Sequence, residues 1–136
     1  MNLQGIIGDA VAHLGSILPS SWDVLSRPQV QRSAWHTPAA VLSSPRGTGV
    51  VRMDGGLDMT LDVNFVISAV DSDDIDEAEF YGLLADGGVV DQLQDAESDY
   101  WDEIVMAEWS VDDQMLLGLN LFRGMTVRFA LVCPGD

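Results

Sequence analysis

Residues 57–70, LDMTLDVNFVISAV, alternate almost strictly between apolar and polar side chains. Leu57, Met59, Leu61, Val63, Phe65, Ile67 and Ala69 fall on one side of an extended chain, and Asp58, Thr60, Asp62, Asn64 and Ser68 on the other, because side chains of a strand point to opposite faces with period two. Such a strand has one covered face and one wet face. An antiparallel sheet permits that, whereas a parallel sheet buried on both faces would read as a continuous hydrophobic run.

Working back toward the start, SPRGTG at 44–49 has the glycine and proline chemistry of a loop, and PAAVLS at 38–43 reads as a strand,. A Gln- and Ser-rich connection through Pro28 leads back to WDVL at 22–25, a second short strand. Residues 3–18 place Leu3, Ile7, Ala10, Val11, Leu14, Ile17 and Leu18 at helical spacing, and Pro19 stops the pattern,.

Working forward, Ser72 or Asp73 caps a helix with Asp74, Asp76 and Glu77 in its first turn, where the helix dipole favours anions,. Its apolar stripe is Ile75, Ala78, Tyr81 or Gly82, and Leu84, and Gly87-Gly88 ends it,. VVDQLQ at 89–94 forms one more helical turn with Val90 and Leu93 inward. Ile104–Val111 and Met125–Val132 alternate as two further strands, joined by a loop from Asp112-Asp113 to Asn120,. The expected fold class is α+β: a mainly antiparallel sheet with two helices packed on one face, in a single domain spanning 1–136 with a projecting loop or hairpin around 44–56.

Charge is segregated along this frame. Met53 to Phe122 holds 19 Asp or Glu and no Lys or Arg, while all six Arg lie outside the window and the net charge is −16. A surface so negative repels phosphate backbones, since nucleic-acid affinity comes mainly from Lys and Arg displacing counterions. Tight wrapping of DNA or of an anionic membrane is therefore not expected. The apolar content of 47% is too high and too well patterned for a disordered acidic chain. Lysine is absent altogether, which removes P-loop, Schiff-base and lysine-activated serine chemistry. Cys133 is the only cysteine, so no intrachain disulfide forms. The start of the chain lacks the basic region of a signal peptide and no apolar run reaches membrane-spanning length, so a soluble protein is expected.

Motifs that suggest chemistry have simpler readings beside them. DSDDIDEAE at 71–79 places carboxylates at alternate positions, as a calcium loop does, but the loop glycine and terminal glutamate are replaced by Asp76 and Gly82,. It reads instead as a helix start with a solvated acidic face. Asp99, Asp102, Glu103 and Glu108 could supply a carboxylate pair, but in so acidic a chain such pairs arise by chance, and charged strand edges that discourage stray pairing need the same residues. His13 and His36 lie in different elements and read as solvated or locally bonded. No catalytic, metal or cofactor residues are assigned. The aromatic and basic residues set among polar neighbours, Trp35, Arg46, Arg52, Asp99, Trp101, Arg123 and Arg128, are instead candidates for a subunit or partner interface,. Opposed charge patches on one subunit favour head-to-tail association, which closes into a ring where the rotation allows.

The succession of pieces resembles the tail terminator proteins of long-tailed, siphovirus-type bacteriophages: a first helix ending near Pro19, WDVL, PAAVL, a Gly/Arg loop, the long alternating strand with its Asp-rich end, LLADGG, VVDQL and RGMTVRFALV. Residues 95–120 match no part of that pattern. The resemblance implies a virion protein of the tail or neck, assembled in the host cytoplasm. It further implies a homo-oligomeric ring, typically a hexamer, that caps the tail tube and meets a neck or connector protein. DNA would pass through without tight binding, and the 44–56 segment would reach a neighbouring ring or line the channel. A head-completion or neck connector protein is the alternative within that setting. An acidic regulatory module that binds a basic protein partner is the alternative outside it.

Overall fold

The structure, a computed structural model, describes residues 2–26, 38–43, 45–51, 56–69, 77–117 and 120–134. The alternating stretch becomes the central strand β4 (Leu57–Ala69). Along one side it pairs antiparallel with β2 (Ala39–Leu42) and then with β3 (Arg46–Val51), and along the other with β6 (Asn120–Cys133) from Phe122 to Cys133. Beyond these, β5 (Glu103–Leu117) pairs antiparallel with β6, and β1 (Asp23–Ser26) pairs parallel with β2. The sheet order is β1-β2-β4-β6-β5 with β3 beside β4, so the α+β class with a mainly antiparallel sheet holds, with one parallel pair at its edge.

The period-two reading of β4 is borne out by burial. Met59, Leu61, Val63, Phe65 and Ile67 enter the core with Met125, Val127, Phe129, Leu131 and Cys133 of β6. Cross-strand register sets Leu61 against Phe129 and Phe65 against Met125. Burying side chains of this size stabilises by about 1.5–3 kcal/mol each. Three helices join the same cluster: α1 (Leu3–Ile17), α2 (Glu77–Leu84) and α3 (Val89–Gln94). The last is the turn expected over 89–94, and Val90 and Leu93 are its buried residues. Helix α1 lies against β1, β2 and α3, and α3 lies against β5. Asn2 starts α1, its Oδ1 accepting from the Gly5 N–H at 2.9 Å.

Four expectations change. The stripe of α1 is shifted at its start only: Ala10, Leu14 and Leu18 are buried and Ile7, Val11 and Ile17 pack against them as expected, but Ile6 joins the core while Leu3 is 49% exposed. The loop expected over 112–120 is mostly strand, since β5 continues to Leu117 and β6 begins at Asn120. Backbone pairing carries the polar Asp112 along because β5 is an outer strand with water available to its side chains. The loop expected at 44–49 contains β3, which pairs Arg46 with Thr60 and Gly47 with Met59 before the register shifts. Finally, the second sheet face is not wholly wet. Val66 is fully buried there with Ala39, Val41 and Met115, flanked by Leu25 and Phe122. The helix cap expected at Ser72 or Asp73 and the acidic run as far as Asp76 lie outside the described residues.

Candidate interface surface

Strand β5, EIVMAEWSVDDQMLL, carries four acids and no base. Its inner side is held by β6, and no described strand pairs with its outer side. Ile104, opposite Leu131, is buried, and Met106 is half-buried against the same core. A register shift between Met106 and Glu108 then keeps Trp109 opposite Val127 and Val111 opposite Met125, on the helix side of the sheet. Helix α3 covers only the first part of this strand. Its Gln94 Oε1 accepts from the Met106 N–H at 2.9 Å, and past that point Trp109 is 52% exposed and Val111 45%. Leu121 on β6 is as exposed as Val111. Arg123, two residues from Met125 on β6, shares this face, and its Nε is buried without a hydrogen-bond partner.

On the opposite face, beside the apolar cluster around Val66, the polar side chains bond one another. Asp62 accepts from Arg46 Nη2 at 2.9 Å and from Arg128 Nε and Nη2 at 2.9 and 3.3 Å, and Arg128 Nη1 donates to Glu108 Oε1 at 2.7 Å. One ladder of ion pairs thus crosses β3, β4, β6 and β5. Its hydrogen bond and charge from Asp62 raise the Arg128 guanidinium above its ordinary value. Beside it, Asn64 donates to Val41 O at 3.2 Å and to Ser43 Oγ at 3.0 Å, and accepts from Thr126 Oγ1 at 2.9 Å. Carboxylates engaged this way bind strands together.

Of the seven residues picked from the sequence, Arg46 and Arg128 meet at Asp62. Arg123 stands apart, on the helix side. Asp99 is exposed in the segment between α3 and β5. Trp101 is 3% exposed, so it belongs to the core: its Nε1–H donates to Ala96 O at 3.3 Å and its ring lies 5.9 Å from that of His13. His13 is locally bonded, its Nε2 2.9 Å from Glu97 O. Trp35, Arg52 and His36 lie outside the described residues. Sequence reasoning missed Asp62 and Glu108 as the partners of the arginines, and Trp109, Val111 and Leu121 as exposed apolar residues. The usable signal was the acids of β5, which mark an outer strand. Among the described residues no three His, Cys, Asp or Glu side chains come together as a metal site, and no helix is long and apolar enough to cross a membrane.

No protein-family model matches this chain, and a search of curated proteins finds no significant relative.

Proposed function

We propose that this chain is a structural virion protein, a ring-forming tail terminator that caps the tail tube of a long-tailed bacteriophage and joins it to the neck. It acts as an assembly part, without catalysis or cofactor. The observation that carries the reading is the outer strand β5, whose uncovered side presents Trp109 and Val111 to solvent. Exposed Trp on a sheet edge is the composition of an association surface. The pieces that carry the resemblance in sequence fall on α1, β1, β2, β3, β4, the end of α2, α3 and β6. Its partners are then further copies of itself, the tube protein and a neck protein, with DNA passing an acidic wall to which it does not adhere.

Size-exclusion chromatography with light scattering, followed by electron microscopy with purified tail tubes, tests this. The expected result is a ring of about six copies seated on tube ends; a monomer at every concentration, with no affinity for tubes, ends the proposal. A second reading has its own observation. Asp95, Glu97, Asp99, Asp102 and Glu103 are all exposed within a short run, a surface suited to a basic protein partner. Retention of a basic protein in place of self-association supports that reading.

A further inference from the structure

We infer that a second copy of this chain adds the edge of its β3 to the open edge of β5, so that the sheet runs on from one subunit to the next. This deepens the ring reading above and rests on it. From Glu103 to Val111, the one described contact on the outer side of β5 is Gln94, at Met106, so among the described residues this stretch offers backbone groups to a new strand. An added strand would also lie beside the exposed Trp109 and Val111.

Charge selects which strand is added. Two β5 strands paired in parallel register would set Glu103, Glu108 and Asp112 each against its own copy, and an antiparallel pair centred on Glu108 would set that carboxylate against its own copy; like charges directly opposed are destabilising. The other edge of the sheet is formed by β1 and β3. Strand β1 begins with Asp23, whereas β3 is RGTGVV, with one base and no acid. The Arg46 side chain is 63% exposed even while bonded to Asp62, which leaves donors for a neighbour's carboxylate. Gly47, opposite Met59, has no side chain to obstruct an indole laid along that strand. Opposite edges of one sheet joined this way give a heterologous contact, the kind that closes into rings.

Two variants test the pairing. Trp109→Glu disables the β5 side and Arg46→Glu the β3 side, with circular dichroism and thermal melts confirming the fold. Each alone should lose self-association by at least about 30-fold, the scale of a hot-spot residue, while Trp109→Phe retains it. Mixed one to one, they should form a heterodimer and nothing larger, because one intact β3 edge meets one intact β5 edge. A mixture that stays monomeric, or a Trp109→Glu chain with wild-type mass, overturns the pairing but leaves the ring standing. Should Trp109→Glu fail to fold, Val111→Glu takes its place in the mixture. A wild-type chain that never associates overturns both.

Discussion

Gly124 is a position where a single methyl group decides local packing. A Cβ there would lie 2.7 Å from Phe65 O and 3.1 Å from Met115 Cε, and the backbone oxygen cannot move without disturbing β4. Gly124→Ala should cost about 1–3 kcal/mol, the usual scale of overpacking, read as a lower urea midpoint with an unchanged slope. Cys133 gives a second prediction. Burial pushes its thiol up, with Asp102 and Asp58 acting in the same direction. Above roughly pH 8.5, where an unfolded thiol ionises, the unfolded chain releases a proton that the native chain keeps. Stability should therefore be level below that pH and fall above it, by at most about 1.4 kcal/mol per pH unit. Cys133→Ala should remove that part of the decline in urea melts between about pH 8 and 10. At this scale the sequence was least legible. Trp101 and Trp109 both sit among acids, yet one is core and the other exposed, because α3 covers the start of β5 and stops before its middle.

Elements were more legible where one face of the chain is buried. The alternation of β4 and of Met125–Val132 is written in side chains because the core demands it, and both strands lie where the period predicts. The polar end of β5 and the glycine-rich β3 carry no such alternation, and backbone pairing places them in the sheet all the same. The same logic hid the ladder at Asp62: its parts come from β3, β4, β5 and β6, and only the register brings them together. Asp62 is 15% exposed and serves two guanidiniums, whereas Glu108 is 64% exposed and serves one. Removing the first takes the partner from Arg46 and leaves Arg128 with Glu108 alone; removing the second returns a mostly solvated pair to water. Asp62→Ala should accordingly lower the urea midpoint at least about twofold more than Glu108→Gln. Equal losses would mean that the ladder is not shared between strands.

At the scale of the whole molecule, the charge of −16 sets the conditions under which copies can meet. The arginines that the sequence offered as basic patches are partly spent within the subunit, Arg46 and Arg128 on Asp62 and Glu108. Local complementarity between β3 and β5 can therefore orient two copies, but the long-range force between them is repulsion. Short-range apolar contact at Trp109 and Val111 has to overcome it. Salt acts on these two terms unequally. The screening length shrinks from about 20–30 Å near 0.01–0.02 M to about 10 Å at 0.1 M, which weakens the repulsion between bodies of like charge and leaves hydrophobic contact intact. Self-association followed by light scattering should thus strengthen as salt rises from about 0.02 to 0.3 M, by roughly tenfold or less, and then level off. Weakening over the same range would show that arginine–carboxylate pairs between copies carry the contact, and Arg46→Gln would then abolish the salt dependence.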